Sequence, residues 1–207
     1  MSSKSYFEEV AGQWDQMSKE FFSDAVREKA FEVAGIEKGK VAADLGAGTG
    51  FITEGLISAG LQVIAVDQSE QMLEVMKQKF SGVEGIDYRM GDAEALPLDD
   101  QSVDYVFANM YLHHVEEPIT AIREMVRILK PGGKVVITDL DEHNHEFLRT
   151  EQHDRWLGFK HEDIRNWLEA AGLSDVTVEC VGENCCAESS CACETAAINI
   201  FAARGVK

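Results

Sequence analysis

The densest grouping of functional residue types is Asp44-Leu45-Gly46-Ala47-Gly48-Thr49-Gly50. Glycines at alternate positions let a backbone turn sharply and approach a ligand where any Cβ would collide. The dinucleotide-binding pattern G-x-G-x-x-G would place its third glycine at residue 51, which here is Phe51, so the loop departs from the pyrophosphate-binding version. Asp67 closes the run Val63-Ile64-Ala65-Val66-Asp67 and is followed by Gln68. A carboxylate there can accept hydrogen bonds from both hydroxyls of a ribose. Asp92, in Gly91-Asp92-Ala93-Glu94, ends the next strand-like run and would reach a nucleobase amino group. Any one of these acids could be a helix cap or turn residue. As a set, Asp44, Asp67 and Asp92 with the glycines describe a nucleoside site.

A second group surrounds the place where an acceptor would sit. His113 and His114 follow Val103–Asn109, and an imidazole there could take a proton from a hydroxyl, thiol or carbon acid near neutral pH. Adjacent histidines on an extended chain point apart, so at most one is expected to face a ligand, and packing is the alternative for either. If Asn144 onward is helical, His145, Arg149 and His153 share one face at four-residue steps, overhanging the site. The histidines of this stretch match no metal spacing, which favours a salt-bridged cap. Phe7, Val10, Trp14, Met17 and Phe21 form an apolar helical face that packs on the domain or closes as a lid, bringing Tyr6 and Trp14 to a substrate. Cys185, Cys186, Cys191 and Cys193 put four thiols in nine residues, a donor set suited to a soft metal ion or a trivalent metalloid. A redox-sensitive loop and a structural zinc clip are the alternatives.

These residues need a scaffold, and from residue 40 onward β-branched runs alternate with helical patterns, the signature of βα units around a parallel sheet. Strands are expected at 41–45, 62–66, 86–90, 103–109 and 134–139, with helices at about 51–60, 69–80 and 118–129. Leu129-Lys130-Pro131-Gly132-Gly133 ends the last of these helices. A helix at about 161–171 and strands at 176–181 and 195–202 complete the chain, the last two forming an antiparallel hairpin joined by a Cys-rich loop. If the first hairpin strand runs parallel to the earlier ones, that loop lies at the same edge as the nucleoside site.

Asp and Glu number 37 against 19 Lys and Arg in 207 residues, a formal charge of −18. Such a chain lacks the basic footprint that polyphosphate surfaces and anionic membranes require. No apolar run approaches the roughly 20 residues of a membrane span, and the N-terminus lacks a secretory-signal pattern. Five cysteines, an odd and clustered set, do not make a disulfide framework. A cytoplasmic protein acting on a small molecule is the expectation.

Asp44 to Gly50, Asp67, Gly91-Asp92-Ala93 and Leu129 to Gly133, taken in order, resemble the successive motifs of class I S-adenosylmethionine-dependent methyltransferases, in the small-molecule branch that includes quinone-biosynthesis enzymes. The segment from Asp139 to Phe159 is similar to methyltransferase domains associated with arsenic-responsive repressors. The resemblance implies an α/β, Rossmann-like doubly wound sheet of seven strands, mostly parallel with an antiparallel last strand. It implies residues 1–38 as a helical lid and 39–207 as the methyltransferase domain, with a cap at 140–160 and a Cys-rich loop at 182–194. S-adenosylmethionine would then meet Gly46, Gly48 and Gly50 at its methionine part, Asp67 at the ribose, and Asp92 and Ala93 at the adenine, with Asn109 beside the sulfonium and Asp44 and Gln68 also in the cofactor site. The Asn/Asp-Pro-Pro-Tyr sequence of enzymes that methylate base or glutamine amino groups is replaced by Asn109-Met110-Tyr111-Leu112. Methylation of arsenite or another thiophilic species, a metal-sensing module without transfer activity, and an NAD-dependent oxidoreductase remain alternatives at this stage.

Overall fold

The computed structural model describes residues 3–21, 23–189 and 194–207. A seven-stranded sheet of order β3-β2-β1-β4-β5-β7-β6 forms its centre. The strands are β1 (Val41–Leu45), β2 (Gln62–Asp67), β3 (Ile86–Met90), β4 (Val103–Asn109), β5 (Leu129–Leu140), β6 (Ser174–Glu188) and β7 (Thr195–Val206). The first five are mutually parallel, β7 is antiparallel to β5, and β6 is antiparallel to β7. Thus β6 regains the direction of the first five and ends at their carboxyl edge.

Helices α1 (Ser3–Val10), α2 (Trp14–Phe21) and α3 (Asp24–Ala34) precede the sheet. Helices α4 (Phe51–Ser58), α5 (Glu70–Lys79) and α6 (Pro118–Ile128) form the crossovers; α7 (Phe147–Glu151) and α8 (His161–Ala170) follow β5. Central strands buried on both faces read as apolar runs rather than alternating ones, which explains the composition of β1, β2 and β4. One apolar layer joins the sheet to α6 and α8 through Ile122, Met125, Ile128, Ile164 and Leu168. Another joins it to α3 and α4 through Ala30, Ala34, Ile52 and Leu56. Helix starts are fixed locally: Ser23 Oγ accepts from Ala25 N–H and Ser69 Oγ from Met72 N–H, while Pro118 stands in the first turn of α6.

Three segments depart from expectation. Leu129–Gly133, expected as the helix end and turn ahead of a strand at 134, already belongs to β5, with Leu129 paired to Val103. Residues 182–188, expected as loop, belong to β6: after an irregularity between Cys180 and Asn184, Cys185 pairs with Ile198 and Cys186 with Ala197. Side chains alternate along a strand, so Cys185 is buried and Cys186 exposed on opposite faces. A single ion therefore does not take both thiols from this strand, and Cys191 and Cys193 lie outside the described residues. The helix expected from Asn144 is shortened to α7. Its entry is held extended because Glu142 N–H and His143 N–H donate to Phe159 O and Leu157 O, and its exit turns at His153, where φ is 60°. The shared face of His145, Arg149 and His153 is accordingly absent.

Candidate functional site

In this strand order the neighbours β1 and β4 mark the point where crossovers change direction, and a crevice opens there at the strand carboxyl ends. The sequence uses that crevice with short side chains. Gly46 has φ 63°, and a Cβ on it would collide with the Tyr111 ring. Gly48 has φ 54°, with Trp14 Nε1 3.5 Å from where a Cβ would stand. Asp44, buried at the end of β1, anchors the loop to α4: its Oδ2 accepts from Thr53 N–H at 3.0 Å and from Thr53 Oγ1 at 2.6 Å. Burial raises its carboxyl to about 7 despite those two hydrogen bonds.

Asp67, at the end of β2, is 8% exposed. Its Oδ2 accepts from Gly48 N–H and its Oδ1 from Ser69 N–H, each at 2.8 Å. Burial raises its pKa and these donors oppose the rise. Ionised, the carboxylate offers about four acceptor positions, so two bonds leave room for a ligand diol. Asn109, closing β4, accepts from Thr138 Oγ1 at 2.7 Å through Oδ1, which leaves its amide N–H groups for a ligand. Asp44, Gly46, Gly48, Asp67, Gln68 and Asn109 line one cavity, joined by Phe7 and Trp14 from the N-terminal helices. Asp92 and Ala93 line an adjoining cavity whose wall is shared through Gln68, Tyr111 and His114. Gly50 caps the start of α4 with φ 95°.

Behind Phe7 and Trp14 lies a third cavity, mostly apolar. Phe21, Met110, Leu140 and Leu148 contribute to it, with His113, His114, Gln152, Asp154 and Cys185 as its polar lining. His113 and His114 stand in a 3-10 turn, Leu112–His114. Successive side chains there are separated by roughly 120° rather than the near 180° of a strand, so both imidazoles face this cavity, with ring centroids 4.1 Å apart. This corrects the expectation that at most one would face a ligand.

The two rings have opposite electrostatic surroundings. Burial alone would lower His113, yet Asp139, with Oδ1 2.6 Å from His113 Nδ1, and Asp154 hold it at about 9. Burial and the neighbouring His113 push His114 well below the usual imidazole range. Near neutral pH His113 is therefore charged and His114 neutral. Asp154 is raised to about 6 by burial, and Cys185 to about 12 by burial and the Asp154 carboxylate, so Cys185 is a thiol rather than a thiolate.

Among the other expected substrate residues, Trp14 lines both the glycine-loop cavity and the apolar one. Tyr6 donates its hydroxyl to Gln152 Oε1 at 2.7 Å and so acts on the cavity wall through Gln152. His145 pairs with Glu194 at 3.1 Å, and Arg149 pairs with Glu146 at 3.3 Å; neither lines the three cavities. Sequence reasoning passed over Tyr111, Asp139 and Asp154. Asp139 shares with Asp44 and Asp67 the signal of an acid near a strand end; Asp154 had no local pattern to reveal it.

Residues 43–137 match the model of a family described as a methyltransferase domain. The malonyl-[acyl-carrier protein] O-methyltransferase of Marinomonas sp. (strain MWYL1) is 31% identical over 184 residues, 84% of this chain and 66% of that protein. The demethylmenaquinone methyltransferase of Clavibacter sepedonicus is 42% identical over 96 residues, 46% of this chain and 39% of the relative. The chain thus spans between 39% and 66% of the length of these two relatives. The solved structure of Haemonchus contortus phosphoethanolamine N-methyltransferase 2 in complex with S-adenosyl-L-methionine shares the fold, with a TM-score of 0.72 at 21% identity, covering 87% of this chain and 52% of that one. The family match runs across β1 to β5, the strands whose ends build the glycine-loop cavity, so the chain carries a methyltransferase domain over residues 43–137.

Proposed function

We propose that this protein transfers a methyl group from S-adenosylmethionine to a small acceptor held in the apolar cavity behind Phe7 and Trp14. The reading is carried by the wall shared between two cavities: Phe7, Trp14, Met110 and His114 line both the crevice with the glycine loop and Asp67 and the apolar pocket beyond. When bound, the cofactor supplies an electrophilic methyl together with its own leaving group. The chain's part is to position the reactants and exclude water. Gly46 and Gly48 admit a ligand close to the main chain, Asp67 takes the ribose hydroxyls, and Asn109 directs its free amide N–H groups at the end of β4. Gln68, Asp92 and Ala93 border the neighbouring cavity, where the adenine is placed.

On the acceptor side, His114 is neutral and presents an unpartnered ring nitrogen, so it accepts a hydrogen bond from a hydroxyl or thiol, while its lowered basicity makes it a weak proton acceptor. His113, already protonated, orients its neighbours and does not act as a base near neutral pH. Helices α1 and α2 form the lid. The named relatives support acceptors that are small molecules or small groups on a carrier, and the charge of −18 disfavours a nucleic acid. Cys185, protonated and without Cys186 beside it in the cavity, gives little support to a thiophilic acceptor.

Titration calorimetry with S-adenosylmethionine and with S-adenosylhomocysteine tests the reading. Both should bind with one site per chain. Asp67→Ala, which removes two hydrogen bonds to a charged acceptor at about 1.5–3 kcal/mol each, should weaken both by roughly 100- to 10,000-fold. Unchanged binding in that variant would sink the assignment of Asp67 to the ribose.

A further inference from the structure

The polar end of the acceptor cavity is more heavily built than hydrogen bonding to a small acceptor requires. His113, His114 and Asp154 each offer one ligand atom within 4.8 Å of the other two, and the ring nitrogens that face Asp154 are His113 Nε2 and His114 Nδ1. Each of the two ring nitrogens is 3.8 Å from Asp154 Oδ1. The three side chains are 5%, 11% and 4% exposed. His114 Nδ1 is buried with no hydrogen-bond partner among the described residues. Buried polar atoms are nearly always satisfied, so this lone pair, aimed at a carboxylate and another imidazole, needs an occupant.

The surroundings favour a cation as that occupant. Asp139 is fully buried, and its Oδ2 is fixed by Leu112 N–H at 2.8 Å and His113 N–H at 3.3 Å. Its Oδ1, 2.6 Å from His113 Nδ1, sets the tilt of that ring and leaves Nε2 toward Asp154. A carboxylate behind the far nitrogen of an imidazole is the common support of a metal-binding histidine, because it fixes the tautomer and raises ligand basicity. Asp139 and Asp154 also place two carboxylates within a dry pocket, a charge that one divalent ion neutralises.

We propose that His113 Nε2, His114 Nδ1 and Asp154 bind a divalent transition-metal ion of the zinc class, leaving a coordination position open toward the acceptor cavity. Two imidazoles and one carboxylate are a donor set that such ions accept in sites where a further ligand comes from water or substrate. Bonds of about 2.0–2.2 Å imply ligand separations of roughly 3.3–3.5 Å in a tetrahedral site, so the 3.8 Å spacings must contract by a few tenths of an ångström. Binding places the ion on His113 Nε2, and the proton held there leaves to solvent. Cys185 lines the same cavity but lies outside the ligand set. The consequence for catalysis rests on the methyl-transfer reading: with His114 Nδ1 coordinated, the ion takes over from that nitrogen the hold on the acceptor, whose hydroxyl, thiol or carboxylate fills the open position. Ion binding itself does not depend on that reading.

Chelator-treated protein titrated with Co2+ should bind one equivalent with visible ligand-field absorption. It should show no near-ultraviolet thiolate-to-cobalt band, and Zn2+ should displace the cobalt. His114→Gln and Asp154→Asn should each weaken Co2+ binding at least tenfold, and Asp154→Asn should leave S-adenosylhomocysteine binding in place as a sign of intact fold. Absence of stoichiometric cobalt binding, a thiolate band, or unchanged affinity in both variants overturns the site. Should either variant fail to fold, the wild-type spectrum alone decides between this site and the cysteines. Loss of cofactor binding by the wild-type protein would instead sink the methyl-transfer reading and leave the ion site standing.

Discussion

His113 couples its own ionisation to folding more directly than any other imidazole in the site. Its pKa rises from the model-peptide 6.5 to about 9 in the folded protein, where Asp139 and Asp154 hold the proton against the effect of burial. The folded state therefore binds the proton more tightly than the unfolded chain. That stabilisation is complete below pH 6.5 and is lost as pH rises through 9. Asp154 and Asp44, at about 6 and 7, change mostly at lower pH, and Cys185, at about 12, changes above this range. Urea unfolding of metal-free protein should show a fall of roughly 2–3 kcal/mol from pH 7 to pH 9. His113→Asn should start less stable and show a much smaller fall. A wild-type midpoint that stays level across this interval would contradict the buried Asp139–His113 ion pair.

Among the elements, the N-terminal helices have the greatest functional leverage for their small share of the core. Asp15 of α2 accepts from Thr49 Oγ1 in the glycine loop and pairs with Lys79 of α5 at 3.4 Å, while the Trp14 indole covers Gly48. A part-exposed ion pair contributes at most about 1 kcal/mol to global stability. On the lid reading proposed above, the same contacts hold α2 closed over the crevice, and lid opening often governs release. Asp15→Ala should therefore speed S-adenosylhomocysteine dissociation several-fold in stopped-flow measurements while shifting global unfolding by less than ~1 kcal/mol. Equal dissociation rates would mean that α2 is fixed scaffold. The apolar repeat of Phe7, Trp14 and Phe21 made a helical face legible from sequence, though not its break at Ala11–Gln13 into α1 and α2, and βα alternation did so for β1 to β4 and their crossovers. Less legible were elements decided by tertiary partners. Strand β6 continues through polar Asn184 because β7 supplies its ladder, and α7 begins only at Phe147 because Leu157 and Phe159 capture the chain before it, and ends ahead of the left-handed turn at His153. The same limit hid the buried cluster: Asp154 meets His113 and His114 across about 40 residues of chain, with no spacing that records the contact.

For the molecule as a whole, the excess of 37 acidic over 19 basic side chains sets long-range repulsion against local attraction. Most attractive pairs are short-range and at least partly exposed, such as Lys77–Glu74, Arg89–Asp87 and Arg127–Asp100. Each is worth little in water. The 18 uncompensated charges act across the whole domain wherever the Debye length is comparable to its size, about 30 Å at 0.01 M salt but only 8 Å at 0.15 M. Screening therefore removes more repulsion than attraction, and raising KCl from 10 to 150 mM should stabilise the fold. A gain of about 1–2 kcal/mol corresponds to a rise of roughly 2–8 °C in melting temperature for a chain of this length. Calorimetric melting across that series measures it, and a falling melting temperature would show that the ion pairs outweigh the net charge. The same negative field repels polyanions approaching the strand carboxyl edge, whereas a compact acceptor entering behind Phe7 and Trp14 meets a mostly apolar wall before it reaches His114.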